Sequence, residues 1–513
     1  MLTLRDPAGA GEREAVPITA NPPKAQRVWS SQAHPSVLIL RLVAVRTRQR
    51  SPQAADGPAQ TVWWPTTGGR SGGNYTGRTM SRTPTAIQQG QAARAAQRRL
   101  AAAGSGTRTE VLRHLERLLG EREAELLAVN KLDLDAPGAG ELPGPILKRL
   151  ALSPSKMQTL REGVRVLIDN PDSVGKPLVR RELDDGLVLE QVRVPIGVLL
   201  IVFESRPDAV IQIGSLALRT GNAVLMKGGS EALHSNRALT DLLREAVAEA
   251  GADPDVVQNI EGREAVGDLL AMDEYIDLVI PRGSADLVRS IKAASRIPVL
   301  GHADGVCHVY VDSAADPEMA VRVTVDAKTN YVAVCNAAET LLLHRDFPAG
   351  PAVVRSLLEA GVEVRGDDDV QAMAAGVVPA QESDFGYEFG DLIISARVVA
   401  GVDEAIDHIH TFGSAHTDTI VTEHAETARL FLDTVDASSV FWNASTRFAD
   451  GFRFGLGAEV GIATGRVHAR GPMGAEGLFT TKWLLSGNGH VVGDYGPGKR
   501  SYTHRDLPPA HGV

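Results

Sequence analysis

The feature that most constrains the fold is a regular alternation of apolar strand segments and helical segments that begins after Pro195. The first series places short apolar runs at 198–203, 223–226, 256–260, 276–280 and 306–311. A second series of strand and helix segments follows at 332–343, 352–362, 392–399 and 419–422. Parallel strands need a crossover connection, usually a helix, so this alternation is typical of mostly parallel, doubly wound sheets. The sequence therefore predicts two α/β domains in tandem.

Two further patterns precede this alternation. Between residues 85 and 130, apolar residues recur at helical spacing, which predicts two or more helices. Near Leu178 the pattern changes to strand-like alternation on both sides of Asp184-Asp185-Gly186. Asp-Gly is a favoured hairpin turn, so residues 178–195 are predicted to form a two-stranded arm.

The first 79 residues differ in composition from the remainder. They hold 10 Lys and Arg against 4 Asp and Glu, whereas the rest of the chain carries a net charge of -16. Pro, Gly and Ser interrupt the segment, and only 36–45 has enough apolar residues for a strand or a helical turn. A basic leader is typical of a transit peptide, but its acidic residues favour a disordered extension or a mispredicted start, with Met80 as the alternative first residue.

Charge, hydropathy and cysteine content exclude several classes of function. The chain has 63 acidic and 53 basic side chains and no basic stripe interleaved with aromatic residues, so a nucleic-acid partner is not expected. Its longest apolar stretches fall far short of the ~20 residues of a membrane span, so no membrane is expected either. Two cysteines without a thiolate cluster predict a reducing, cytoplasmic location and no metal.

Each cysteine is either a buried apolar residue or a reactive thiol. Cys307 lies in the β-rich run 306–311, where a cysteine typically packs as a small hydrophobic residue. Cys335 lies where a polar segment meets a new apolar element. Backbone N–H groups at such a junction can favour the thiolate and later hold an oxyanion. Position alone leaves Cys335 open between catalysis and burial.

Two glycine-rich turns are candidate anion sites. Lys227-Gly228-Gly229-Ser230 follows a strand and opens a helix, where N–H groups can hold a phosphate or a ribose hydroxyl. Without a full G-x-G-x-x-G, a plain glycine turn is an equally good interpretation. The loop 464–472 concentrates cations among glycines, which by itself is typical of a solvated face.

Seven short sequence blocks between residues 81 and 494 together point to a protein family more specifically than any one block does alone. They are ESRPD (204–208), KGGSEA with HSN (227–236), IPRG (280–283), GHADGVCH (301–308), CNAAET (335–340), NASTRF (443–448) and HARGP (468–472). Together they resemble the γ-glutamyl phosphate reductase family, a branch of the aldehyde dehydrogenase superfamily. The resemblance implies an aldehyde dehydrogenase-like fold of two doubly wound α/β domains plus a β-arm for oligomerisation.

The resemblance also implies a division of the chain. Residues 80–177 and 196–320 are expected to form an NADPH-binding domain, and residues 321–455 a catalytic domain. Residues 178–195 and 456–513 are expected to form the arm of a homo-oligomer and the C-terminal segment. The active site is then expected in the cleft between the two α/β domains.

Site residues follow from the resemblance. Cys335 is the expected nucleophile, with the backbone N–H groups of Cys335 and Asn336 facing the oxyanion, while Cys307 stays structural. The expected substrate-binding residues are Ser205, Arg206, His468 and Arg470. The expected cofactor-binding residues are Lys227, Gly228, Ser230, Gly283 and Glu388. Ser230 replaces a carboxylate of the superfamily, and removing that charge favours the 2′-phosphate of NADPH.

The predicted reaction is the NADPH-dependent reduction of γ-glutamyl phosphate to glutamate 5-semialdehyde and phosphate, the second step of proline biosynthesis, through a thioester on Cys335. Leu300 stands where hydrolytic relatives carry a water-activating glutamate, which argues against the first alternative, an aldehyde-oxidising enzyme of the same fold. The second alternative, a non-catalytic nucleotide-binding relative, would be expected to lose one of the matched residues. Residues 1–79 are too short for a kinase domain, so a separate glutamate 5-kinase is a candidate partner.

Overall fold

The computed structural model describes residues 84–508 with the exception of Arg263. The interpretation of residues 1–79 as a disordered extension or a mispredicted start, with Met80 as the alternative first residue, lies outside the described residues. Among the described helices, none has the length and apolar character to cross a membrane.

The first part of the described chain contains helices, a hairpin and a parallel sheet. Its helices and strands are α1 (Ala86–Ala102), α2 (Ser105–Glu121), α3 (Glu123–Leu134), α4 (Gly144–Leu150), α5 (Pro154–Asp169), β1 (Pro177–Asp184), β2 (Leu187–Pro195), β3 (Val198–Phe203), α6 (Asp208–Arg219), β4 (Ala223–Lys227), α7 (Leu233–Glu249), β5 (Val257–Asn259), α8 (Glu264–Leu270), β6 (Leu278–Arg282) and α9 (Ala285–Ala294). The sequence explains where α1 begins, because Thr85 and Gln88 form a reciprocal capping box there. It also explains the start of α5, where the Ser153 hydroxyl caps the helix and Pro154 occupies the first helical position.

The first sheet holds four parallel strands in the order β5-β4-β3-β6. Every residue of β3 is buried, as expected of a parallel strand covered on both faces. Side chains of this sheet share one apolar core with α1, α2, α5, α6 and α7. The predicted doubly wound arrangement is confirmed, although β5 is shorter than expected and β6 lies two residues later.

The second part of the described chain continues the alternation of strands and helices. Its helices and strands are β7 (Cys307–Val311), α10 (Pro317–Thr329), β8 (Ala338–His344), α11 (Gly350–Glu359), β9 (Glu363–Gly366), α12 (Asp368–Gln371), β10 (Val378–Pro379), β11 (Ile393–Val399), α13 (Val402–Phe412), β12 (Thr417–Val421), α14 (Ala425–Thr434), β13 (Ser439–Trp442), β14 (Gly461–Ala463), β15 (Gly471–Met473), β16 (Phe479–Ser486) and β17 (Arg505–Asp506).

The second sheet holds seven parallel strands in the order β10-β9-β11-β8-β7-β12-β13. Because β7 pairs with β8 and β12, it belongs to this sheet, and the predicted domain boundary after residue 320 lies too late. The apolar residues of each strand are visible in the sequence, but they do not indicate with which distant strands it pairs. The strand predicted at 332–343 also begins late, because residues 332–337 form turns before β8.

The predicted arm is present and is larger than a hairpin. β1 and β2 pair antiparallel across Asp184-Asp185-Gly186, where Gly186 has a φ of 71°. β16 and β17 extend this pair to four strands in the order β16-β2-β1-β17. All residues of β16 after Phe479 are exposed. The arm therefore presents an open sheet edge that carries apolar side chains.

Candidate active site

Two sheet edges line a single cleft of roughly 1680 Å³. The carboxyl ends of β3, β4, β5 and β6 contribute one wall, and the loops before β7 and β8 contribute to the other. The predicted site residues that line it are Ser205, Arg206, Lys227, Gly228, Ser230, Gly283, Cys335, Asn336 and Glu388. A site for one small ligand typically measures ~300–1,000 Å³, so this cleft has room for a dinucleotide beside a small substrate.

The wall formed by the first sheet fits a dinucleotide. In open α/β sheets, ligands bind outside the carboxyl ends of the strands where the strand order reverses, which here lies between β3 and β6. A Cβ on Gly283 would lie 2.5 Å from Glu204 Oε2, and a Cβ on Gly228 would lie 2.8 Å from Asn236 Cγ. These glycines therefore let Glu204 and Asn236 pack closely against the backbone at the edge of the cleft.

Polar groups on the same wall are arranged around Ser205. One oxygen of Glu231 accepts hydrogen bonds from the Ser205 N–H (2.5 Å) and Oγ (2.8 Å). Lys227 Nζ donates to the Gly228 carbonyl at 2.6 Å. The buried Oδ1 of Asn236 has no hydrogen-bond partner within the described residues. An acceptor left unpaired in this way is suited to a ligand hydroxyl, which supports a nucleotide site here.

Three adjacent strands bring the nucleophile between two histidines. His302 precedes β7, Cys335 precedes β8 and His416 precedes β12, and the sheet order is β8-β7-β12. Because the strands are parallel, their amino ends meet at one edge. The Cys335 sulfur and one nitrogen from each histidine consequently lie within 4.8 Å of one another. Neither histidine is recognisable as a site residue from the sequence, since their proximity depends on strand order.

This arrangement favours the thiolate of Cys335. Burial by itself raises the pKa of Cys335, but His416 and His302 more than offset it and hold the pKa well below the ordinary thiol value. Burial lowers the pKa of His302, whereas Cys335 and the Ile462 carbonyl raise it, and the balance puts it at about 9. A low-pKa cysteine paired with a cationic imidazole is the arrangement of a reactive thiol.

Cys307 has the opposite environment. It is fully buried in β7, and burial raises its pKa well above the ordinary thiol value. Its Sγ lies 3.2 Å from the carbonyl oxygen of Cys335. This placement supports the structural interpretation of Cys307 and puts it directly behind the nucleophile.

The backbone around Cys335 is suited to bind an oxyanion. Among the described residues, the N–H groups of Cys335 and Asn336 have no hydrogen-bond partner. The Asn336 side chain donates to the Ala449 carbonyl at 2.8 Å, which fixes this turn. Glu388 Oε2 accepts from the Gly305 N–H at 2.9 Å, and burial raises the pKa of Glu388. Free N–H groups next to the nucleophile are the usual donors to a tetrahedral oxyanion.

The cleft contains arginines beyond those predicted from the sequence, together with carboxylates such as Asp450 and Glu459. Arg206, predicted to bind substrate, lines the cleft and forms an ion pair with Asp208 at 3.3 Å. Additional arginines that line the cleft are Arg149, Arg282, Arg447 and Arg453. Two of them lie in the sequence blocks described above: Arg282 in IPRG and Arg447 in NASTRF. Several guanidinium groups in one cleft favour an anionic substrate.

His468 and Arg470 are not among the described residues that line the cleft, and their contact with substrate stays a prediction. The His468 Nε2 lies 2.8 Å from the Gly477 carbonyl, and Arg470 pairs with Asp436 at 2.7 Å. The ion pair with Asp436 holds the Arg470 side chain at a position outside the cleft lining. The HARGP block thus fixes the loop around β15, and the cleft takes its cations from other elements.

The sequence model of the aldehyde dehydrogenase family matches residues 74–382, which is more than half of the chain, so the protein belongs to that class. A γ-glutamyl phosphate reductase from Pelotomaculum thermopropionicum is 50% identical over 416 residues, which cover 81% of this chain and 96% of that protein. The Δ1-pyrroline-5-carboxylate synthase of Solanum lycopersicum is 48% identical over 421 residues, 81% of this chain and 58% of that protein. A crystal structure of the γ-glutamyl phosphate reductase of Thermotoga maritima matches with a TM-score of 0.77 and 38% identity, covering 80% of this chain and 100% of that one. The chain belongs to the γ-glutamyl phosphate reductase branch of the aldehyde dehydrogenase family, which confirms the resemblance.

Proposed function

We propose that this chain reduces γ-glutamyl phosphate to glutamate 5-semialdehyde and phosphate, the second step of proline biosynthesis from glutamate, with NADPH as the hydride donor. The observation that carries the proposal is the position of Cys335 between two histidines in an arginine-lined cleft that also contains the dinucleotide wall. The names of the relatives at about half identity support the same reaction.

Substrate binding is assigned to the arginines of the cleft. γ-Glutamyl phosphate carries a phosphate at one end and a carboxylate at the other, and a guanidinium can bind either in a bidentate manner. Arg206 is held by Asp208, and Arg447 Nε donates to the Asn330 carbonyl at 2.6 Å. These contacts restrict the side chains, so little rotamer entropy is lost when the substrate binds.

Cys335 then attacks the acyl carbon as the thiolate. The bond from the acyl carbon to the phosphate oxygen breaks, phosphate leaves, and a thioester remains on the sulfur. The N–H groups of Cys335 and Asn336 are directed at the oxygen that becomes negative during the attack. His302 stays protonated beside the sulfur, because its pKa is raised to about 9.

A bound nicotinamide cofactor supplies the hydride that reduces the thioester. In this chain, Glu388 and the loop after β6 are assigned to its nicotinamide half, and Lys227, Gly228 and Ser230 to its adenosine half. The same N–H groups stabilise the negative oxygen that the reduction creates. Collapse of the resulting thiohemiacetal breaks the carbon–sulfur bond, releases the aldehyde and regenerates the thiolate beside His302.

NADPH is favoured over NADH because no carboxylate stands at position 230. The neighbouring Glu231 directs its charge to the N–H and hydroxyl of Ser205. We expect a higher kcat/KM with NADPH than with NADH, and Ser230→Glu should narrow that difference. Equal kcat/KM values for the two cofactors in the unmodified chain would contradict the assignment.

The reverse reaction tests the function. With glutamate 5-semialdehyde and NADP⁺, a thioester forms, and phosphate is the nucleophile that releases it. NADPH formation should be nearly absent in phosphate-free buffer and should rise saturably with phosphate, while Cys335→Ala should form none. Fast NADPH formation without phosphate, with free glutamate as the product, would overturn the reductase assignment in favour of a hydrolytic dehydrogenase.

Assembly and partners complete the proposal. The open edge of β16 supports a homo-oligomer formed through the arm. A glutamate 5-kinase is the proposed source of the substrate, since an acyl phosphate is reactive and has to be made close to where it is used. A catalytic thiol that must stay reduced also favours a reducing compartment such as the cytoplasm.

A further inference from the structure

The nucleophile and its two histidines have the composition of a metal site. One thiolate and two imidazoles are a ligand set that zinc prefers, and three protein ligands with an open fourth position are typical of accessible zinc sites. The three donor atoms lie within 4.8 Å of one another. In a tetrahedral zinc site, the same donors lie about 3.3–3.5 Å apart, given Zn–N and Zn–S bonds of about 2.0 and 2.3 Å. A contraction of up to about 1.5 Å would therefore complete the site.

Hydrogen bonds to the far side of each imidazole orient both rings as they do in zinc proteins. His302 Nδ1 lies 2.8 Å from the Ile462 carbonyl, which leaves its Nε2 for a ligand. His416 Nδ1 lies 2.9 Å from the Thr417 hydroxyl, and its buried Nε2 has no partner among the described residues. Metal-binding histidines usually donate a hydrogen bond from the second ring nitrogen to a carbonyl or another acceptor. The buried Nε2 of His416 is therefore available to a ligand of the cluster.

The site is accessible from solvent. Cys335 and His302 line the large cleft, whereas His416 lies beneath them. An ion that enters through the cleft keeps its fourth position free for water.

We propose that Cys335, His302 and His416 form a zinc-binding site and that zinc bound there inhibits the enzyme by occupying its nucleophile. Coordination takes the sulfur lone pair that would attack the acyl carbon. It also displaces the proton of His302, because only a neutral imidazole nitrogen binds a metal. The inhibition rests on the proposed function, whereas the binding of zinc does not.

The test is a zinc titration of the purified full-length chain, without substrate, against a chromophoric zinc chelator. A parallel measurement follows the alkylation of Cys335 by iodoacetamide with mass spectrometry. The variants are Cys335→Ala and His302→Ala, and the matched control is His114→Ala, a histidine of α2 paired with Glu249. His302 is preferred to His416 because His416 is fully buried and its replacement can disturb folding.

We expect one tightly bound zinc per chain, and we expect zinc to slow the alkylation of Cys335 at least tenfold. Cys335→Ala and His302→Ala should each weaken zinc binding at least tenfold, whereas His114→Ala should not change it. Unchanged zinc affinity in either site variant, or alkylation that zinc does not slow, would overturn the proposal. A chain that binds zinc as expected but shows no phosphate-dependent turnover would instead refute the proposed function and leave the zinc site standing.

Discussion

Gly305→Ala should displace the nucleophile without changing any side chain that takes part in the chemistry. A Cβ at this position would lie 2.5 Å from the Cα of Cys335 and closer still to its carbonyl oxygen. Ordinary contact begins near 3.4 Å, so the backbone at Cys335 has to move by about 0.9 Å at Cα and by about 1.2 Å at the carbonyl oxygen. A misplacement of about 1 Å can lower a rate about 10²-fold. We therefore expect kcat/KM to fall about 100-fold, which corresponds to about 2.7 kcal/mol of transition-state stabilisation.

The assay is phosphate-dependent oxidation of glutamate 5-semialdehyde with NADP⁺, measured together with the melting temperature. Overpacking of a buried site costs about 1–3 kcal/mol, so the variant should melt earlier and still fold cooperatively. The matched control is Gly106→Ala on α2, where a Cβ meets no atom within 4 Å. The control should keep the rate of the unmodified chain. A folded Gly305→Ala protein with unchanged kcat/KM would refute the argument that close packing behind Cys335 positions the thiol.

Three further predictions concern the thiols, a buried ion pair and the arm. Cys335→Ala should abolish turnover and leave the melting temperature nearly unchanged. Cys307→Ala should instead lower the free energy of unfolding in urea by about 1 kcal/mol, because it removes a buried sulfur from β7. The reverse pattern would show that Cys307 is the nucleophile and Cys335 the structural residue. Glu339→Gln should destabilise the chain by about 3–5 kcal/mol, since it leaves Lys328, paired with it at 2.7 Å and fully buried, as an unpaired charge. A Lys328→Met and Glu339→Gln double variant should recover part of that loss in the same unfolding assay. Leu485 on β16 is 58% exposed, so Leu485→Lys should lower the native mass in sedimentation velocity if the arm mediates assembly. An unchanged mass would exclude the edge of β16 as the oligomer interface.

The strands and the hairpin could be predicted because each is encoded locally. The apolar run of β3 is uninterrupted, and Asp184-Asp185-Gly186 supplies the turn residues that a tight hairpin requires. The seven blocks then identified the family, and they placed Cys335 and most of the cofactor residues in the cleft. These features need no knowledge of which strands become neighbours.

The remaining parts of the site depend on strand order. His302 and His416 are separated by more than a hundred residues and meet only because β7 and β12 are adjacent. The domain boundary was predicted too late for the same reason, since β7 follows the first series in sequence but pairs within the second sheet. Arg470 illustrates the same dependence on the fold, because its charge is visible in the sequence, whereas its ion pair with Asp436 is not.

Whether water hydrolyses the thioester depends on all the groups that surround Cys335, and not only on the glutamate that Leu300 replaces. Leu300 is 7% exposed and belongs to the first apolar core, so no carboxylate lies at that point. The acids that remain nearby are held by other groups: Glu388 accepts from the Gly305 N–H, and Glu459 accepts from the Gly451 N–H at 2.9 Å. Burial raises the pKa of both carboxyl groups, so they are the two positions from which a hydrolytic variant could recruit a base. The guanidinium groups of Arg282 and Arg447, in contrast, lie close enough to Cys335 to interact with its charge, and guanidinium groups attract phosphate and do not deprotonate water.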